Sequence, residues 1–178
     1  MPPGFPAVGT SPPTMDAKHE MVLHFEVQGG DFAAAGEASS RLKAVLRQLG
    51  LGADLIRRVA IATYEAEMNV VIHAYHGRIE ARIAPAAIEV KVVDEGPGIP
   101  DIELAMQEGY STAPEAVREM GFGAGMGLSN IQRYSDLLVI RSRVGRGTDL
   151  LARVEVGGEQ YAGGEAGYVL SLRSARNR

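Results

Sequence analysis

Glu65, Asn69 and His73 recur at intervals of four residues, a spacing that puts them on one face of a helix. A carboxylate and a carboxamide one turn apart suit a magnesium–phosphate site. Mg²⁺ prefers oxygen ligands, keeps several waters and completes its shell with substrate phosphates. Asn69 offers a neutral oxygen, and Glu65 offers an acceptor for the proton of a hydroxyl or a water. An ordinary amphipathic helix with its polar residues outward carries the same spacing.

Two further elements follow in the chain. Asp94 ends a run of β-formers and precedes Gly96, Pro97 and Gly98. A carboxylate at a strand end, beside glycines that let another molecule approach the backbone, can accept the exocyclic amine of adenine. Aspartate also forms turns at such places. Gly121, Gly123, Gly125 and Gly127 alternate just before a helical stretch. They miss the dinucleotide fingerprint, because Met126 stands where its last glycine belongs, and no Lys-Ser or Lys-Thr follows to make a Walker A loop. Backbone N–H groups opening a helix still favour phosphate, although a flexible linker has the same composition. The four histidines show no zinc-like spacing, and no Gly-x-Ser-x-Gly elbow is present.

The elements that position these residues are legible from periodicity. Residues 21–27 predict a strand. Asp31 predicts the cap of a helix with Phe32, Ala35, Leu42, Val45, Leu46 and Leu49 on one stripe. Asp54 predicts the cap of a second helix through about Tyr75, stopped by Gly77, with Leu55, Val59, Ala62, Ala66 and Val70 inward. Strands are expected at 78–83 and 87–93, a short helix near 101–108, a mobile loop over 109–124, a helix at 125–134, and strands at 137–143 and 148–156. Too few helices separate these strands for a doubly wound parallel sheet. The expected fold is an α+β two-layer sandwich, with a mixed, largely antiparallel sheet and helices on one face.

Residues 1–18 lack periodicity and are rich in Pro, Gly, Ser and Thr, which predicts a disordered tail. Residues 157–178 read as a Gly-rich extension. The net charge of −4 argues against nucleic acid as a partner. Arg141, Arg143, Arg146 and Arg153 read as a solvated hairpin face. The absence of cysteine removes disulfides and thiolate chemistry and fits a cytoplasmic location. No apolar run reaches the ~18–20 residues of a membrane span, and no secretion signal is visible.

These motifs carry a family resemblance. Residues 62–75 resemble the N box of the GHKL (Bergerat-fold) ATPases, Asp94 to Pro100 their G1 box, and Gly121 to Leu128 their G2 box. The stretch 101–112 and the run Gly123-Ala124-Gly125-Met126-Gly127-Leu128 are similar to the anti-sigma-factor and switch serine/threonine kinase branch. Gly145 to Thr148 resembles the element that ends the fold. The resemblance covers about 20–156 and implies an ATP-binding kinase domain over 19–156. It implies that Glu65 is the general base and that Asn69 coordinates Mg²⁺. His73 shares their box. It implies that Asp94 binds the adenine amine, that Gly96 and Gly98, with Ile99 beside them, let the base lie against the backbone, and that Gly123, Gly125 and Gly127, with Ala124, Met126 and Leu128 between and after them, give lid amides to the phosphates. Ser111 and Thr112 would help position phosphate oxygens, Thr148 would close the site, and Arg118 is a candidate to reach the γ-phosphate. The cofactors implied are ATP or ADP with Mg²⁺. The partners implied are a small antagonist (anti-anti-sigma type) protein as substrate, a sigma factor, and a second copy in a homodimer. A histidine-kinase-like ATPase domain with a separate phosphoacceptor and a non-catalytic nucleotide sensor remain the alternatives. Glu67 and Met68 depart from the box.

Overall fold

The computed structural model describes residues 14–16 and 20–157. In chain order the elements are β1 (Thr14–Asp16), β2 (Glu20–Gln28), α1 (Glu37–Gln48), α2 (Ala53–His73), β3 (His76–Ile83), β4 (Ala87–Glu95), α3 (Ile102–Ala105), α4 (Glu115–Glu119), α5 (Gly127–Tyr134), β5 (Leu137–Arg143) and β6 (Gly147–Glu155). Five long strands and the three-residue edge strand β1 form one sheet in the order β1-β2-β3-β4-β6-β5.

The two-layer sandwich expected from the sequence is present, and among the described strands its largely antiparallel sheet is antiparallel throughout. The reason is where β6 sits. Strands β4 and β5 run the same way, but β6 returns between them, so the parallel pair never touches. Between β2 and β3 the two helices α1 and α2 bring the chain back to the end it left, and that pair is antiparallel too.

Alternation along the strands makes the two layers. Ile79, Ala81 and Ile83 of β3, Ile88, Val90 and Val92 of β4, Leu150, Ala152 and Val154 of β6, and Leu138 and Ile140 of β5 are buried. They pack with Leu42 and Leu46 of α1, Val59, Ala62, Ala66 and Val70 of α2, and Ile131 of α5. The alternate residues carry charge on the opposite face. There Arg78 donates to Glu26 at 2.8 Å and Arg153 to Glu89 at 2.9 Å. Arg141, Arg143 and Arg146 are exposed, as a hairpin face requires.

Several boundaries move for local reasons. Thr14–Asp16 pairs with β2, so the sheet begins inside the stretch expected to be a disordered tail. The extension at 158–178 lies outside the described residues. Helix α1 starts at Glu37, not after Asp31, because Gly36 takes a left-handed conformation at φ 90°. Asp31 instead closes a turn by accepting from the Ala34 N–H at 3.2 Å. Helix α2 begins after Gly52, with Asp54 in its first turn, and ends at His73. Ala74 is extended and the Tyr75 N–H donates to the Glu95 carbonyl, so Gly77 lies inside β3 and does not stop the helix. Residues 109–124, expected to form a loop throughout, contain α4, which buries Val117.

Candidate functional site

The pocket-facing side of α2 presents Glu65, Asn69 and His73 together with Ile72. Opposite it, β4 ends in Asp94 and Glu95, the loop after them brings Gly98, Ile99 and Pro100, and the segment 121–128 closes the remaining side. The cavity they enclose measures about 570 Å³, within the about 300–1,000 Å³ usual for small-ligand sites.

The two ends of the cavity differ in chemistry. Near Asp94 lie Ile99 and the paired Val92 and Leu150, and Ile72 and Leu128 add further apolar surface to the cavity lining. Asp94 is half-buried there, and burial pushes its carboxyl above the ordinary range, partly offset by the Thr148 N–H that donates to Oδ1 at 3.1 Å. A desolvated acceptor with apolar walls fits a planar base bearing an amine. Ser142 fixes this corner. Its Oγ accepts from the Ile99 N–H at 2.7 Å and lies 2.9 Å from Thr148 Oγ1. Gly147 makes the corner possible, since a Cβ there would overlap the Asp94 carbonyl oxygen.

At the other end, Glu65 and Asn69 face the first turn of α5. A Cβ on Gly127 would stand 3.2 Å from Asn69 Oδ1 and 3.5 Å from Glu65 Oε2, so the glycine lets the helix start come this close. Asn130 on α5 donates from Nδ2 to Glu65 Oε1 at 2.7 Å. Asn69 lines the cavity, and its carboxamide oxygen is a neutral ligand of the kind Mg²⁺ takes. His73 sits at the rim, solvent-exposed on one side, and partial desolvation lowers its pKa.

Most residues marked by the sequence converge on this cavity. Glu65, Asn69, His73, Asp94, Gly98, Ile99, Ser111, Thr112, Gly123 to Leu128 and Thr148 all line it. Gly96 does not. It packs on the end of α2, where a Cβ would lie 3.0 Å from Ala74 Cα. Arg118 is exposed on α4 and is also absent from the lining. Asn130 and Ser142 hydrogen-bond to residues that line the cavity, and sequence reasoning does not find them, because an isolated Asn or Ser in a helix or strand carries no spacing signal.

Glu67 belongs to another part of the structure. It is 2% exposed and accepts from the backbone N–H groups of Ala38 at 3.1 Å and Ser39 at 3.2 Å, capping α1 where Gly36 has no side chain. Burial raises its pKa, and the N–H donors partly offset that. The Ser39 hydroxyl also donates to the Ala60 carbonyl at 2.8 Å.

A second, open groove of about 1230 Å³ runs between α1 and α2. Lys43, Arg47, Arg57, Ile56 and Ile61 line it, and it meets the smaller cavity at Tyr64 and Glu65. Beside the glycine segment, Phe122 stacks on Phe32 with ring centroids 5.4 Å apart.

Residues 31–154 match the family model described as a histidine kinase-like ATPase domain. The chain belongs to this family, in the branch that holds anti-sigma factors and switch serine/threonine kinases. It is 36% identical over 116 residues to an anti-sigma F factor of Caldanaerobacter subterraneus subsp. tengcongensis, covering 62% of this chain and 78% of that relative. It is 30% identical over 139 residues to the anti-sigma F factor of Geobacillus stearothermophilus, covering 74% and 88%. It is also 31% identical over 112 residues to the serine/threonine-protein kinase RsbT of Bacillus subtilis, covering 61% and 78%. Among the described residues no helix is long and apolar enough to cross a membrane.

Proposed function

We propose that this chain is an ATP-dependent serine/threonine protein kinase that phosphorylates a small antagonist protein in partner-switching regulation. The observation that carries the reading is the position of Glu65. Glu65 lines both the enclosed cavity and the open groove between α1 and α2, so in this reading one side chain serves a nucleotide in the cavity and a protein docked in the groove. An ATPase acting only on water has no need of that second opening.

In this reading the base of ATP lies against Asp94, and its phosphates run toward the amides of Gly123 to Gly127 at the start of α5. Phosphoryl transfer asks mainly for positioning and charge stabilisation. Glu65 Oε2 takes the proton of the acceptor hydroxyl, the hydroxyl oxygen bonds to the γ-phosphorus, the bridging bond to the β-phosphate breaks, and ADP leaves. Asn69 would hold Mg²⁺, which when bound neutralises phosphate charge. The apolar walls at Ile72, Ile99 and Leu128 exclude water from the base. The name anti-sigma F factor extends the reading to a sigma factor as a second partner. A cytoplasmic location and a homodimer complete it, on the strength of the family resemblance.

The test is transfer from γ-labelled ATP to small antagonist domains encoded near this gene. Acid-stable phosphoserine that vanishes with Glu65→Gln is the expected result. Acid-labile phosphate would support the histidine-kinase-like alternative, and tight ADP binding with no transfer would support a nucleotide sensor.

A further inference from the structure

Asn130 lies just beyond the glycine segment and belongs to none of the motifs that mark this site. Among the described residues it is the side chain that donates a hydrogen bond to Glu65. We infer that Asn130 is a positioning residue for Glu65, holding Oε1 so that Oε2 is presented to the attacking hydroxyl. This rests on the proposed function.

Three observations carry it. The first is geometry. The Nδ2 to Oε1 distance of 2.7 Å is short for a nitrogen donor and marks a charge-assisted bond. One oxygen is thereby occupied, and the other lies toward Gly127 and Asn69. The second is the chemistry of the donor. A carboxamide N–H orients a carboxylate without neutralising it, whereas a lysine or arginine would bring a full positive charge against the base and weaken it. The third is the element. Asn130 stands in the first turn of α5, and its backbone N–H donates to the Met126 carbonyl at 2.8 Å. The same turn carries Gly127, which abuts both Glu65 and Asn69. The far end of α5 is tied to α2 by Arg58, which donates to Asp136 at 2.8 Å and to the Tyr134 carbonyl at 3.3 Å. The base is therefore oriented by the helix that begins at the phosphate end of the cavity.

The experiment is single-turnover hydrolysis of MgATP, with water standing in for the acceptor, in the wild type, Asn130→Ala, Asn130→Asp, Glu65→Gln and the double variant Glu65→Gln/Asn130→Ala. Asn130→Ala should lower the rate about 10-fold to 100-fold, no more than the about 10²–10⁴-fold that a positioned base contributes as a whole, with the KM for ATP and the affinity for ADP unchanged. Asn130→Asp should be slower still. It keeps the shape of asparagine but sets a carboxylate against Glu65, whereas a packing role alone predicts that the isosteric variant is the milder one. The double variant should be no slower than Glu65→Gln. A wild-type rate in Asn130→Ala, a milder Asp than Ala, or additive losses in the double variant would overturn the inference. Failure of transfer to every antagonist domain, with hydrolysis intact, would sink the protein-kinase reading and leave these arms standing. If the wild type hydrolyses nothing, the ¹⁵N spectrum of the ADP complex decides. An Asn130 side-chain amide that is shifted and protected in the wild type but free in Glu65→Ala supports the bond, and one that is identical in both refutes it.

Discussion

Glu65 and Glu67 stand two residues apart on α2 and do opposite things. Two residues turn a helix by about 200°, so one side chain enters the cavity and the other enters the layer between α2 and α1. Glu67 spends both oxygens on backbone N–H donors at the start of α1. Glu65 receives one side-chain donor and keeps its other oxygen toward Gly127 at the start of α5. Asp94, which lines the cavity, lies between these cases, with one oxygen held by Thr148 and the other without a hydrogen-bond partner among the described residues. A carboxylate whose acceptors are all used is structural. One with an acceptor in reserve is able to do chemistry.

The comparison can be broken most sharply at Glu65. Glu65→Gln should lower phosphoryl transfer by about 10²–10⁴-fold while leaving ADP affinity and Tm at wild-type values. A variant that transfers normally would remove Glu65 from the chemistry.

Asp94→Asn is next. It turns an acceptor into an N–H group facing the base's amine and should weaken nucleotide binding by about 3 kcal/mol, or roughly 100-fold, by calorimetry. The ligand-free domain should not lose stability, because the amide keeps an oxygen for the Thr148 N–H and removes a buried charge.

The pH dependence has a definite sign. Burial raises the pKa of Asp94 and of Glu67. Each is protonated more readily in the folded state than in the unfolded one, so their ionisation costs stability as pH rises from the ordinary carboxylate range through the raised values. In urea unfolding at a series of pH values, Asp94→Asn should gain most over the wild type at neutral pH, with the gap closing as pH falls. A gap that widens on acidification would contradict the burial argument.

Glu67→Ala should behave in the opposite way to Glu65→Gln. It leaves the Ala38 and Ser39 N–H groups without an acceptor, at about 1–3 kcal/mol and roughly 5 °C in Tm, while the folded fraction still binds ADP. The smallest effect is expected at the link between the two sides of α2. Phe32, in the turn before the helix that Glu67 caps, stacks on Phe122 beside the glycine segment. Phe122→Ala should remove about 0.5–1.5 kcal/mol and speed ADP release in stopped flow, with Asp94 and Glu65 untouched.

The long elements are readable because their apolar periods are strong. Val59, Ala62, Ala66 and Val70 fix the inward face of α2, and the alternation through Ile79, Ala81 and Ile83 fixes that of β3. The start of α1 is not readable, because Asp31 has the residue type of a cap but the left-handed Gly36 breaks the chain between them. The cap comes from Glu67, 29 positions away from Ala38, a distance at which no local rule operates. Its only trace in the sequence is a charge placed on an apolar stripe without an evident partner.

The sequence by itself determined which face of α2 carries Glu65, Asn69 and His73, that a carboxylate ends the strand before Gly96, and that a glycine segment opens the last helix. Helical and strand periods and the backbone freedom of glycine are local properties and need no tertiary contact. Only the tertiary structure decided that Gly96 packs between Ala74 and the Asp94 carboxylate, that Ser142 ties Ile99 to Thr148, and that Asn130 meets Glu65 across the α2–α5 contact. Most of those pairings join residues far apart in the chain. They exist because burying the apolar faces of the helices against one sheet brings the remaining polar groups together at its edge, where each must find a donor, an acceptor or a ligand.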